Sequence, residues 1–134
     1  MKRSSLREQV FKILFRAEFM DGSEMEQQEE LFFDSGDIIV SSKDREYIVN
    51  KVNRIVEKTP EIDAQLSGKM KGWTIERIGK VELALLRLGI YELEYDDDIP
   101  DGVAIAEAVE LAKKFGSENS GSFVNGVLAK FTKD

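Results

Sequence analysis

Three cationic side chains stand close together at the beginning of the chain: Lys2, Arg3 and Arg7. Long cationic side chains bind phosphate groups as point charges or, for arginine, as forked pairs of donors. The first twenty residues hold five basic and two acidic residues, although the whole chain carries a formal net charge of -7. This pattern predicts a local phosphate-binding surface at the N-terminus. Ordinary solvated surface produces the same asymmetry, so charge alone leaves both interpretations open.

Aromatic and small polar side chains add to the possible chemistry. An aromatic ring that escapes the core can stack on an unpaired base, and Phe15 is one candidate, although its spacing fits a core position equally well. Asn119, Ser120 and Ser122 stand where the last helix is expected to begin. A helix N-terminus offers free backbone N–H groups and partial positive charge to a phosphate.

Several classes of active site are excluded by composition. The chain has no cysteine and no histidine, which removes disulfides, thiolate and imidazole metal ligands and the ordinary acyl-transfer triad. No glycine-rich phosphate loop is present. The aspartates at 96–98 and Asp101 lack the spacing of a calcium loop and precede or follow a proline, as turn residues often do. We therefore expect no enzyme activity, no metal and no cofactor.

Length and hydropathy favour a small cytoplasmic protein. The 134 residues suffice for one domain with its own core, and we expect a single domain over residues 1–134. No apolar run approaches the roughly 20 residues that span a bilayer, and the N-terminus lacks the apolar region of a signal peptide.

The elements that must position these side chains are helical. Apolar residues recur at helical spacing along the chain, and no segment shows sustained two-residue alternation. We predict an all-α fold of about seven helices in one compact bundle. The first predicted helix runs from Ser5 to Asp21-Gly22, and the second covers Glu24 to Phe33. The third starts at Ser41 or Ser42, and the fourth starts at Thr59-Pro60. The fifth runs from Thr74 to about Glu94, the sixth from Asp101 to Gly116, and the seventh starts at Asn119 or Ser120.

One pair inside the last helix is locally unfavourable. Asn125 and Gly126 interrupt an apolar helical pattern, and glycine costs about 1 kcal/mol relative to alanine in a helix interior. We expect Gly126 to permit close approach of a neighbouring helix and Asn125 to bond to nearby backbone.

Three longer segments together resemble the NusB family of bacterial transcription antitermination factors. They are REQVFKILFRAEF, GWTIERIGKVELALLRLGIYEL and VAIAEAVELAKKFGSENSGSFVNGVLAKF. The resemblance implies an all-helical protein built as two small bundles, without catalytic activity. It also implies binding to boxA-type single-stranded RNA together with the ribosomal protein NusE. The pair would act on the RNA polymerase elongation complex indirectly and promote read-through, notably in ribosomal RNA synthesis. Some members self-associate, so a homodimer remains open.

The resemblance also implies which residues form each surface. The RNA surface would combine the N-terminal arm and first helix with the start of the last helix. NusE, a basic protein, would meet an acidic surface on the long helix after Thr74. The implied RNA-binding residues are Lys2, Arg3, Arg7, Phe15, Asn119, Ser122 and Phe123, and the implied partner-binding residues are Glu76 and Glu82.

Two departures from the family pattern leave alternatives open. Ser4, Ser5 and Leu6 interrupt a basic run that is richer in arginine in the family, and Ala106 stands where the family usually has asparagine. A protein-binding helical adaptor with a degenerate RNA surface is therefore one alternative. The same helical domain also resembles the N-terminal module of ribosomal RNA cytosine methyltransferases, so an accessory module of that kind is a second alternative, although a chain of this length has no room for their cofactor-binding domain.

Overall fold

A computed structural model describes residues 1–19, 25–34 and 39–132 of the protein, and within these ranges it contains six α-helices and no strand. The all-α prediction is confirmed. Packing divides the chain into two compact units, Met1–Val56 and Glu57–Asp134. None of the described helices combines the length and apolar character needed to cross a membrane. The helices are α1 Arg3–Ala17, α2 Met25–Asp34, α3 Ser42–Lys69, α4 Lys80–Tyr95, α5 Asp101–Phe115 and α6 Ser120–Leu128, with 3-10 turns at Ile75–Arg77 and Ala129–Phe131.

The separate helix predicted to begin at Thr59-Pro60 is wrong. Pro60 lies inside the continuous helix α3. An internal proline removes one backbone hydrogen bond and costs about 3 kcal/mol, but an apolar stripe continues on both sides of it. Burial of that stripe offsets the local cost, so tertiary packing decides against the break. The fully buried members of the stripe are Ile48, Val52, Ile55, Ile62 and Leu66.

Helix starts were predicted with mixed success. Ser41 caps α3 as expected, because its Oγ accepts a hydrogen bond of 3.1 Å from the backbone N–H of Asp44. The start of α1 at Ser5 is wrong, since the Leu6 N–H donates to the carbonyl of Lys2 and the helix begins at Arg3. The predicted end at 21–22 lies outside the described residues.

The long helix expected from Thr74 is divided into two pieces. Thr74 precedes only the 3-10 turn Ile75–Arg77, and no side-chain hydrogen bond caps that turn. The backbone is extended at Ile78, and α4 begins at Lys80. The apolar residues Ile75 and Ile78 continue the helical pattern in sequence, so periodicity alone did not reveal this break.

In the first unit, α1 packs against α2. Val10 and Ile13 of α1 are fully buried. The guanidinium of Arg45 lies over the ring of Phe33, 4.6 Å from its centroid. Glu29 of α2 is also buried, and its Oε2 has no hydrogen-bond partner among the described residues.

The charged form of the Glu29 carboxyl is unfavourable in this unit. Burial raises its pKa above the ordinary value of 4.5, and the charge of Glu26 raises it further. The nearby Arg45 lowers the pKa and offsets part of this effect. Glu29 therefore holds its proton to a higher pH in the folded state than in the unfolded chain.

In the second unit, α4 packs against both α5 and α6. Gly89 of α4 permits the close packing of α4 against α6, because a Cβ built there would lie 2.7 Å from Cδ1 of Leu128 on α6. Arg87 of α4 forms a forked ion pair with Asp63 of α3, with N–O distances of 2.9 and 2.8 Å. These contacts fix α6 and the C-terminal part of α3, the elements that carry the site described below.

The expectation for Gly126 is wrong. No described atom outside its own helix backbone lies within 4 Å of a Cβ built at Gly126, so no neighbouring helix approaches it. The Asn125 side chain is exposed and makes no hydrogen bond to any residue in the described ranges. The close helix contact predicted for Gly126 is made by Gly89 instead.

Candidate nucleic-acid interface

An aromatic pair stands at the centre of the candidate site. The rings of Trp73 and Phe123 lie 5.7 Å apart at an angle of 51°. Trp73 is 49% exposed although tryptophan is the largest apolar side chain. Gly72, with φ of +81°, forms the turn that presents Trp73 after α3. Phe123 lies in the first turn of α6.

A first cleft, which we call the Glu82 cleft, is lined by both rings of the aromatic pair and has a volume of about 280 Å³. Glu82 Oε1 accepts a hydrogen bond of 2.8 Å from Ser120 Oγ. The same Ser120 Oγ accepts a bond of 2.8 Å from the backbone N–H of Ser117. This chain of bonds attaches the start of α6 to α4. The cleft is lined by Trp73, Arg77, Ile78, Gly79, Glu82, Ser117, Asn119, Ser120 and Phe123.

A second cleft, which we call the Gly126 cleft, is also lined by both rings of the pair and has a volume of about 350 Å³. Its described lining contains two lysines and no carboxylate, on a chain with an excess of acidic residues. Such a surface favours anions. The lining residues are Met70, Lys71, Trp73, Ser122, Phe123, Gly126, Val127 and Lys130.

Two lysines beside this cleft connect the end of α3 to the 3-10 turn that follows α6. Lys69 Nζ donates to the carbonyl of Lys130 at 2.8 Å, and Lys130 Nζ donates to the carbonyl of Lys69 at 3.2 Å. The ammonium of Lys69 also lies 4.8 Å from the centroid of the Phe131 ring. The lysines satisfy carbonyls at two helix ends, where cations are favoured. An ammonium has three donors, so Lys130 keeps donors for a further acceptor.

The sequence-predicted residues of the first unit fall into two groups. Lys2 and Arg3 are exposed at the start of α1. Arg7, by contrast, is only 5% exposed and makes an interaction within the protein. Phe15 is half-buried, and its ring stacks on Phe11 at 6.0 Å. The Arg7 side chain is therefore part of the packed interior beside α1, and only part of the Phe15 ring remains accessible for stacking on a base.

The predicted residues of the second unit lie together. Asn119 lines the Glu82 cleft, Ser122 lines the Gly126 cleft, and Phe123 lines both. Sequence reasoning missed Trp73, Lys71, Arg77 and Lys130, which complete the two clefts. A basic turn next to the chain's one tryptophan was the available signal, but its distance in sequence from α6 concealed the connection.

Comparison with known proteins settles the family. A family model described as "NusB family" matches residues 4–133. The chain belongs to the NusB family. The transcription antitermination protein NusB of Agathobacter rectalis is 51% identical over 98% of this chain and 99% of its own length. That of Lachnoclostridium phytofermentans is 45% identical over 97% of this chain and 98% of its own.

Solved structures agree with this assignment. T. maritima NusB is 36% identical, covers 100% of this chain and 92% of its own, and superposes with a TM-score of 0.86. A chain from a crystal structure of antitermination factors NusB and NusE in complex with dsRNA is 30% identical, with a TM-score of 0.85. It covers 98% of this chain and 96% of its own. The resemblance seen in the sequence is therefore confirmed, as is the NusB fold.

The two acidic residues implied for partner binding in the family occupy different settings here. Glu76 is exposed in the 3-10 turn, whereas Glu82 is half-buried in the first turn of α4. The expectation that both lie on one long helix is wrong, because the chain is extended at Ile78. Glu82 also bonds to Ser120, so removing it would disturb α6 as well as any partner surface.

The NusB family is a family of transcription antitermination factors and not of enzymes. Within residues 1–19, 25–34 and 39–132 no three acidic side chains are grouped so that they could hold a metal ion. The aspartate run after α4 forms a local turn, in which Asp96 Oδ1 accepts a bond of 3.2 Å from the Asp98 N–H.

Proposed function

We propose that this protein is a transcription antitermination factor that binds boxA-type single-stranded RNA together with NusE. The complex promotes read-through by RNA polymerase, notably in ribosomal RNA synthesis. Residues 1–134 act together as one RNA-binding domain, and the protein works in the cytoplasm, where bacterial transcription takes place. The observation that carries the proposal is the match to a chain from a crystal structure of NusB and NusE in complex with dsRNA, at 30% identity over 98% of this chain.

The chemistry of the site supports RNA as the ligand. Trp73 and Phe123 offer partly exposed aromatic faces, on which bases stack regardless of sequence. The Arg77 side chain is exposed beside them and forms no ion pair or hydrogen bond with the described residues. Asn119 and Ser122 add exposed polar groups that can read base edges or hold phosphates.

The N-terminal arm supplies charge without fixed contacts. Lys2 and Arg3 are exposed, and no described residue bonds to either side chain. Such cations bind phosphates through counterion release, which makes the affinity fall with added salt. The net charge of -7 limits indiscriminate binding and makes the partner protein important for affinity.

Fluorescence anisotropy tests the proposal directly. A labelled boxA-like RNA and a scrambled RNA are titrated with the protein, with and without NusE. We expect selective binding to the first RNA that tightens when NusE is present. Equal binding to both RNAs that is unchanged by NusE would contradict the proposal and favour a protein-binding adaptor.

A charge reversal examines the N-terminal arm in the same assay. Arg3→Glu should weaken RNA binding while binding to NusE remains. Arg54→Glu is the matched control, because Arg54 is exposed on α3 and outside the predicted surface. Equal effects of the two substitutions would show that the arm contributes only general charge.

A further inference from the structure

Gly126 has no structural reason to be glycine in the folded protein. It lies inside α6, where glycine is less stable than alanine because the unfolded chain is more flexible. A Cβ at this position would meet no described atom within 4 Å, so packing does not require its absence. The open space beside Gly126 is the Gly126 cleft. A glycine that faces open space is expected where another molecule's backbone must come close.

The cleft has the charge of an anion site. Lys71 is exposed and makes no hydrogen bond or ion pair with the described residues, and Lys130 lies on the same cleft. No carboxylate is among the described lining residues to neutralise them. Two lysines with no carboxylate among the described lining therefore make this cleft a local exception to the acidic character of a chain with net charge -7.

The wall of the same cleft has the chemistry of a base platform. Trp73 and Phe123 both line it, and Trp73 is about half exposed. A phosphate, a sugar and a flat base are the parts of one nucleotide. The cleft offers cations, an open glycine and an aromatic face to match them.

We propose that the Gly126 cleft is an RNA backbone site. The sugar–phosphate chain of a single-stranded RNA passes over Gly126, Lys71 and Lys130 bind its phosphates, and a base stacks on Trp73 and Phe123. This inference rests on the proposed function and adds to it a site that includes four residues outside the surface implied by the family resemblance: Lys71, Trp73, Gly126 and Lys130.

Substitution of the glycine gives a test in which stability and binding change in opposite directions. Gly126→Ala should raise the Tm by about 3 °C, because the helix becomes stiffer in open space. It should nevertheless weaken RNA binding about threefold, and the bulkier Gly126→Leu should weaken it about tenfold or more. Anisotropy with the boxA-like RNA measures the affinity, and thermal unfolding measures the Tm.

Gly102→Ala is the matched control. Gly102 is also exposed within a helix of the second unit, and a Cβ there would also meet no described atom within 4 Å. It lines neither the Glu82 cleft nor the Gly126 cleft. We expect it to leave RNA affinity unchanged, so that any loss in the Gly126 variants reports on the cleft itself.

The salt dependence of binding tests the phosphate contact separately. Each phosphate contact on a single strand contributes about 0.7 to the slope of log affinity against log salt. Lys71→Gln should reduce the slope by about this amount. Lys113→Gln, which removes an exposed charge from α5 outside both clefts, should leave the slope unchanged.

The outcomes separate this inference from the proposed function. If the wild-type protein binds the boxA-like RNA selectively and Gly126→Leu binds it equally well, the inference is overturned and the function stands. A loss of NusE binding with RNA binding intact would make the cleft a protein surface and would also overturn it. If the wild-type protein binds no RNA with or without NusE, both proposals fail together.

Discussion

The two regions predicted to touch RNA are built differently. The first unit contributes exposed cations at the start of α1, Lys2 and Arg3, whose side chains no described neighbour holds. The second unit contributes an aromatic pair that lines two clefts, and hydrogen bonds such as that from Ser120 to Glu82 fix its position. Phosphate contacts position a nucleic acid, whereas base contacts specify its sequence. Discrimination between RNAs should therefore reside mainly in the second unit.

Arg7 lies on the same helix as the exposed Arg3 of the first unit but differs from it in burial. It carries the same charge as Arg3 one helical turn earlier, but it is 5% exposed. A buried guanidinium stabilises the protein through its contacts and its packed stem.

Arg7→Ala should lower the free energy of unfolding by about 3 kcal/mol, because it removes a buried charged donor and leaves its partners unsatisfied. Arg3→Ala should change stability by less than about 0.5 kcal/mol, as exposed substitutions usually do. Urea unfolding measures both. A stable Arg7→Ala protein that has lost RNA binding would show that Arg7 is a phosphate ligand, and the first unit would then contribute more than the comparison allows.

Trp73→Ala and Phe123→Ala should each weaken RNA binding by about 1–3 kcal/mol, since each removes part of one stacking platform. The discrimination between boxA-like and scrambled RNA should fall with them. Tyr95→Ala is the matched control, because Tyr95 is an exposed aromatic at the end of α4 that lines neither cleft. If the affinity falls equally for all three variants, the aromatic pair is not a specific platform.

Glu29→Gln should give the smallest effect, one that depends on pH. The folded carboxyl has a pKa raised above 4.5, so unfolding releases a proton in the window between 4.5 and the folded value. The stability that the protonated Glu29 carboxyl contributes at low pH is therefore lost as the pH rises through this window. The glutamine variant should be more stable than wild type at neutral pH, and the difference should shrink towards pH 4.5.

Urea unfolding at several pH values measures this difference. Glu30→Gln, on the exposed face of the same helix, controls for the loss of one negative charge from α2. A difference for Glu29→Gln that is constant with pH would mean that general charge, and not burial of the carboxyl, sets the stability of the first unit.

Sequence reasoning predicted the helices well where local signals and packing agree. Ser41 caps α3, and α5 runs from Asp101 to a stop at Gly116, as expected. The helix prediction failed at Pro60, where burial of an apolar stripe outweighs the local cost of proline. It failed again at Ile78, where a regular apolar period hides a break in the backbone.

The candidate site was predicted only in part. Asn119, Ser122 and Phe123 were found because they follow one another in a segment that resembles the family. Trp73 and Lys71 lie about 50 residues earlier, and only packing in the second unit brings them to α6. Side chains that are distant in sequence show no spacing pattern, so no periodicity argument connects them.

By itself the sequence determined the all-helical class, the absence of histidine and cysteine chemistry, and the family. These follow from residue types and local periods, which are independent of how helices pack. Only the tertiary structure decided that Arg7 is buried, that Glu82 bonds to Ser120, and that Gly126 faces open space. Exposure and contact depend on neighbours brought together by folding, and a linear sequence does not state which neighbours those are.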